Sequence, residues 1–132
     1  MATKAHTGQV EKNGGAYIEH PIRVYELLAD EDEVTRVTAL LHDVVEDSDV
    51  TLEDVRREFS AEVADAVDAV TRRKDETYFE FVARAIKHPV GRKVKTADLM
   101  DHLRPGHEDY IPESLIKRYH KALDMIRLAN SV

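Results

Sequence analysis

Apolar residues recur along the chain at three- and four-residue spacings, and no stretch sustains an every-second-residue alternation, so the pattern predicts helices and no sheet. Pro21 suits the first turn of a helix over about 21–29 with His20 at its N-cap. The acidic run at 30–33 opens a second helix, over about 32–46, where negative charge meets the positive end of the helix dipole. Thr51 and Asp54 have the spacing of a capping box for a helix over about 51–58. Ser60 can cap the next, in which Val63, Ala66, Val67 and Val70 form one stripe. A charged loop at 72–76 precedes a helix over 77–87 that keeps Tyr78, Phe81, Val82 and Ile86 on one side. Pro89 starts another that should end near His102, and Pro105 and Gly106 make 103–111 a loop. Leu115, Ile116, Tyr119, Ala122, Leu123 and Ile126 then give a long amphipathic closing helix. The expected fold class is all-α, a compact multi-helix arrangement. Without repeats, low-complexity tracts or linkers, it is expected to be one domain over 1–132.

Composition narrows the chemistry. A chain of 132 residues can bury about two-thirds of its unfolded surface. Its net charge of −7 argues against binding a nucleic-acid polymer, which is driven by cationic surface. With no cysteine there is neither a disulfide framework nor a thiolate ligand, so any metal must be held by nitrogen and oxygen. Neither a signal peptide nor a membrane span is recognisable, and the expected compartment is the cytosol.

Within the second predicted helix lies the segment LLHDVVED, Leu40 to Asp47. At roughly 100° per residue, Leu40, Leu41, Val44 and Val45 share one side, while His42, Asp43, Glu46 and Asp47 share the other. The 42/46 and 43/47 pairs are each four apart, so four polar groups converge. A His-Asp dipeptide alone is common. An imidazole and three carboxylates above an apolar underside point to a metal site, against the plainer reading of a solvated surface pair and an acidic helix end. Acids at a helix C-terminus oppose the dipole unless a cation is near. Downstream, VKTADLMDH spaces Lys95, Asp98 and Asp101 three apart on one face, above Val94 and Ala97. Upstream, EHPIRV sets His20 before a helix-starting proline, an exposed imidazole that either caps the helix or reaches a ligand. His6, His88, His107 and His120 read as structural or exposed.

Taken in order, His20 in its Y-I-x-H-P context, His42-Asp43, Glu46-Asp47 and Asp98 in A-D-L resemble the HD phosphohydrolase superfamily. The similarity is greatest to the hydrolase domain of RelA/SpoT-type alarmone enzymes and to small stand-alone guanosine polyphosphate pyrophosphohydrolases, from His6 to about Leu103. The resemblance implies the all-helical HD-domain fold and a divalent ion, commonly manganese, held by His20, His42, Asp43 and Asp98. Mixed imidazole and carboxylate donors suit first-row divalent metals without choosing among them. It implies that Glu46 and Asp47 orient or deprotonate the nucleophile; Lys95 and, more weakly, Arg23 are candidates to offset phosphate charge, and Lys12 is a candidate to bind substrate.

Three departures bear on the substrate. The family's Arg-Lys-Ser-like run at the guanine end of the ligand reads Glu11-Lys12-Asn13 here, the asparagine after A-D-L is His102, and a threonine three residues on is Pro105. Metal and nucleophile chemistry are expected intact and nucleotide recognition altered. His102 either assists the site as a proton donor or extra ligand, or packs. The expected function is a metal-dependent phosphohydrolase of a nucleotide or small phosphorylated metabolite, with an alarmone pyrophosphate among the candidates. The alternative is a non-catalytic HD module that binds a nucleotide and signals to a partner. Retention of both Glu46 and Asp47 favours the enzyme. A homo-oligomer stays open.

Overall fold

The computed structural model describes residues 19–107 and 111–131, which form eight helices and no strand. These are α1 (Glu19–Leu27), α2 (Glu33–Leu41), α3 (Val44–Asp47), α4 (Leu52–Glu58), α5 (Ala61–Ala69), α6 (Tyr78–Lys87), α7 (Pro89–His102) and α8 (Glu113–Asn130). None of them is long and apolar enough to cross a membrane. Glu11, Lys12, Asn13 and His6 lie outside the described residues.

Local chemistry sets most helix starts. The Asp32 side chain accepts from the Thr35 amide at the head of α2, and the Ser60 hydroxyl accepts from the Val63 amide at the head of α5. Reciprocal capping boxes open α4, through Thr51 and Asp54, and α6, through Thr77 and Glu80. Each satisfies amides that the first turn leaves without an intrahelical partner. Pro89 begins α7, and the His88 ring caps it by accepting from the Gly91 amide.

Helix α7 is the hub, packing against α1, α2, α5, α6 and α8. Val94 and Ala97 join Val24, Ala39 and Val70 in one apolar cluster, and Leu99 joins Tyr78, Phe81, Val82, Ala122 and Ile126 in another. Leu41, Val44, Val55, Val63 and Val67 form a third between α2, α3, α4 and α5. Gly91 lets α7 approach closely: a Cβ there would lie 3.0 Å from the Ala69 Cβ and 3.0 Å from the Ala85 carbonyl oxygen. The helix carrying Lys95, Asp98, Asp101 and His102 is thus clamped on several sides.

Two expectations are corrected. The single helix over 32–46 is two helices, α2 ending at Leu41 and α3 beginning at Val44, with a turn at His42 and Asp43. Asp43 has φ −109° and ψ −1°, the bridge region rather than the helical one. His42 donates from Nδ1 to the Ala39 carbonyl (2.6 Å), one of the oxygens left over at the end of α2. The first helix runs from Glu19 to Leu27 rather than over 21–29, and tighter i→i−3 bonds, Leu28 to Tyr25 and Ala29 to Glu26, finish it. His20 is therefore inside the first turn and only 2 % exposed, not at a solvent-facing cap. What holds it inward is an aspartate 81 residues away.

Candidate metal and phosphate site

Three segments distant in sequence meet beneath a cavity. From α1 comes His20, from the turn between α2 and α3 come His42 and Asp43, and from α7 comes Asp98; one donor atom from each lies within 4.8 Å of all the others. Both imidazoles are oriented by their Nδ1 atoms. His42 Nδ1–H donates to the Ala39 carbonyl, and His20 Nδ1–H donates to Asp101 Oδ2 (2.5 Å). A carbonyl and an ionised carboxylate only accept, so each ring carries a proton on Nδ1 and turns Nε2 to the cluster. There Asp98 Oδ1 lies 2.9 Å from His20 Nε2 and 3.1 Å from His42 Nε2. Asp43 Oδ2 is 3.2 Å from His42 Nε2 and 3.7 Å from His20 Nε2.

The electrostatics match a cation site. Burial opposes charging His20, but its hydrogen bonds to Asp101 and Asp98 outweigh that and lift its pKa to about 9. His42 is likewise held well above the ordinary histidine value, its burial overcome by Asp43 and Asp98. Burial alone would raise Asp43 and Asp98, yet His42 keeps the first carboxyl well below its usual range, and Lys95 and His102 do the same for the second. Two protons on imidazoles thus balance two carboxylates, and exchanging those protons for one divalent cation conserves the charge. The four nitrogen and oxygen donors fit a first-row divalent ion.

Beside the cluster lies a cavity of about 240 Å³, lined by His42, Asp43, Glu46, Asp47, Asp98 and His102 together with Arg72, Lys95, Tyr78, Arg118 and Tyr119. A larger groove of about 580 Å³, bordered by Leu27, Pro89, Ala97 and Met100, carries no imidazole or carboxylate, and the chemistry favours the smaller space. Glu46 projects from α3 and accepts from the Arg72 amide (3.0 Å). Although the residue is exposed overall, burial of its carboxyl group and the charge of Asp43 push its pKa up to about 7. Lys95 is buried, and its Nζ bonds Asp98 Oδ2 (3.0 Å) while lying 5.0 Å from the Tyr78 and Phe81 ring centroids. Despite that burial, Asp98 raises its pKa, so it stays charged.

The structure brings most of the candidate residues together. His20, His42, Asp43 and Asp98 form the cluster, and Glu46, Asp47, Lys95 and His102 line the cavity. Arg23 does not line it. Its guanidinium engages Asp101, through Nε to Oδ1 (2.6 Å) and Nη2 to Oδ2 (3.2 Å). His102 Nε2 is 3.3 Å from Asp98 Oδ1, and its ring stacks on Tyr119 at 4.8 Å and 14°. Arg72, Arg118, Tyr78 and Tyr119 escaped the sequence reading as cavity residues. The two tyrosines fell into apolar stripes that do build core, and the two arginines carry no motif that separates them from other surface cations.

A sequence profile of the HD-domain family matches residues 1–103, more than half of the chain. The chain belongs to the HD-domain family. Among curated relatives of this HD-domain chain, a Danio rerio protein named guanosine-3′,5′-bis(diphosphate) 3′-pyrophosphohydrolase MESH1 is 38% identical over 115 residues, covering 79% of the chain and 64% of the relative. A Streptomyces coelicolor protein named GTP pyrophosphokinase is 36% identical over 115 residues, covering 79% of the chain and 14% of the relative. A Vibrio cholerae guanosine-3′,5′-bis(diphosphate) 3′-pyrophosphohydrolase is 46% identical over 74 residues, 54% of the chain and 10% of the relative. The HD-domain chain therefore spans less than two-thirds of the length of these relatives. A solved structure, described as a metazoan ortholog of SpoT that hydrolyzes ppGpp and plays a role in starvation responses, superimposes with a TM-score of 0.78 at 28% identity. The match covers 96% of this chain and 81% of that one.

Proposed function

We propose that this chain is a divalent-metal-dependent phosphohydrolase that removes pyrophosphate from a nucleotide of the guanosine 3′,5′-bis(diphosphate) type. The observation that carries the reading is the cluster of His20, His42, Asp43 and Asp98, whose donor atoms lie within 4.8 Å of one another beside a cavity lined by both carboxylates and cations. The relatives' names supply the substrate class. His20, His42, Asp43 and Asp98 are the residues to hold the ion, with Mn²⁺ as the proposed metal. Once bound, such an ion supplies Lewis acidity, polarising a phosphoryl oxygen and easing deprotonation of water.

The remaining chemistry belongs to the chain. Lys95 fixes the Asp98 carboxylate from one side, and with Arg72 and Arg118 it gives the cavity three cations for a polyphosphate. Glu46, tethered to the Arg72 amide, is poised near neutrality and can accept a proton from an attacking water. Asp47 sits beside it and orients that water. Oxygen from the water joins phosphorus, its proton passes to Glu46, and the sugar 3′ oxygen departs with a proton from solvent. A cytosolic location and a small phosphorylated substrate accompany this reading. The test is metal analysis after Mn²⁺ equilibration, followed by assay of pyrophosphate release from guanosine tetraphosphate and related nucleotides. One ion per chain and metal-dependent release are expected. A protein that retains no ion, or that retains it and cleaves none of these nucleotides, would overturn the proposal.

A further inference from the structure

Asp101 has no part in the cavity, yet it is buried to 3% exposure and its carboxylate receives four hydrogen bonds. Its Oδ2 accepts from His20 Nδ1 (2.5 Å), Arg23 Nη2 (3.2 Å) and Arg104 Nη1 (3.2 Å), and its Oδ1 accepts from Arg23 Nε (2.6 Å). One turn of α7 separates it from Asp98, which meets the other nitrogen of the same imidazole. The two carboxylates therefore grip His20 from its two ends. The arginines make the grip directional: with Arg23 Nε donating to Oδ1 and Arg104 donating to Oδ2, the carboxylate cannot rotate away from His20 without abandoning charged partners.

We propose that Asp101, anchored by Arg23 and Arg104, is a positioning residue that fixes the ring and tautomer of His20 and thereby sets how tightly the cluster holds a divalent cation. This rests on the reading of His20 as a metal ligand. A ligating histidine needs a lone pair on the nitrogen facing the ion, and an acceptor on the opposite nitrogen secures it. Asp101 supplies that acceptor by geometry. Asparagine at the same place is nearly isosteric but not equivalent. Its single oxygen cannot both accept from Arg23 Nε and keep the contacts that Oδ2 makes to His20 Nδ1, Arg23 Nη2 and Arg104 Nη1, and its NH₂ meets a donor on either side. Either His20 Nδ1 loses its acceptor or the arginine fork that holds that acceptor in place is broken, and in both cases the ring is less firmly fixed.

Mn²⁺ titration of the purified full chain by calorimetry, with circular dichroism as a fold control, tests this. Asp101→Asn should retain its helical signal and bind Mn²⁺ about 10–100-fold more weakly, the usual range for losing such a partner. Long-range ¹H–¹⁵N spectra should show the His20 Nδ1–H resonance displaced in the variant, the signature of an altered bond to residue 101 that a merely structural role would not produce. Should Asp101→Asn fail to fold, Arg23→Gln keeps the carboxylate and removes the fork, and a several-fold weaker Mn²⁺ affinity is expected. An unchanged Mn²⁺ affinity in either folded variant overturns the proposal and leaves the phosphohydrolase reading standing. Absence of Mn²⁺ binding by the wild-type chain instead removes the ligand set, and both readings fall.

Discussion

Replacing Arg84 by Ala should unfasten the segment that carries Arg72, and the cost can be worked from its contacts. Arg84 binds the Glu76 carboxylate through Nε (2.8 Å) and Nη2 (2.9 Å), and it also donates to the carbonyls of Asp68 (2.9 Å) and Thr71 (2.7 Å) at the end of α5. Its hydrogen bonds are the largest cause of a depression of the Glu76 pKa from 4.5 to about 2, to which the amide and charge of Arg73 add. At 1.36 kcal/mol per pH unit that depression corresponds to roughly 3 kcal/mol. Side-chain exposures of 23% for Arg84 and 13% for Glu76 leave room for solvent screening, which reduces it to roughly 1–2 kcal/mol. Two further bonds to carbonyls, at roughly 0.5–1.5 kcal/mol each, bring the expected loss to about 2–5 kcal/mol. The pH dependence has a definite sign. Glu76 has a folded pKa below its unfolded one, so its contribution is full above about 4.5 and disappears as pH falls toward about 2. Urea unfolding of wild type and Arg84→Ala at pH 7 and pH 3 should therefore give a larger difference at pH 7. A difference below about 0.5 kcal/mol, or one that does not shrink in acid, would refute the account.

Other perturbations probe the site. Asp43→Ala should abolish metal retention, measured as ions per chain after desalting, and a full equivalent retained would remove Asp43 from the ligand set. Glu46→Gln and Asp47→Asn should keep fold and metal but lower turnover about 10²–10⁴-fold; steady-state rates equal to wild type in both would clear these acids of any role. Because Glu46 acts as a base only when ionised, and its pKa is lifted to about 7, turnover should rise with pH up to that region, with the limb moved lower by a bound cation. A rate independent of pH between 5 and 8 would contradict the assignment. Glu11→Arg should improve hydrolysis of guanosine tetraphosphate mainly through KM, since arginine can stack on a base and attract phosphate where glutamate repels it. Efficient native turnover that the substitution leaves unchanged would show that the loop reads its ligand differently.

What the sequence disclosed was largely local. Thr51 with Asp54, Ser60 and Pro89 are signals that act within one turn, and the helices they start lie where those residues place them. The apolar spacing of Leu40, Leu41, Val44 and Val45 runs unbroken across His42 and Asp43, so nothing in the periodicity marks the turn there. Its determinant is a side chain folding back on the Ala39 carbonyl. His20 was legible as a candidate ligand and illegible as a buried one, because the groups that bury it stand on α7, 78 and 81 residues on. Arg23 shows the same limit. One turn from His20 it looked like a phosphate contact, and its use in gripping Asp101 depends wholly on how α1 crosses α7.

The cluster also has a topological consequence. Its donors are separated by 22 residues between His20 and His42, 56 between His42 and Asp98, and 78 between His20 and Asp98. An ion shared by them is a non-covalent staple closing two large loops in a chain with no cysteine to do so. Unlike a disulfide, such a staple acts only on the folded chain, because the unfolded chain does not hold the donors together and releases the ion. Conformational stability then becomes a function of metal supply, growing as RT ln(1 + [M]/Kd) and reaching about 2.7 kcal/mol at a hundredfold excess over Kd. Metal scarcity would be felt by such a chain as heat is, through a lowered melting temperature and readier proteolysis, so that its abundance as well as its turnover would follow the ion.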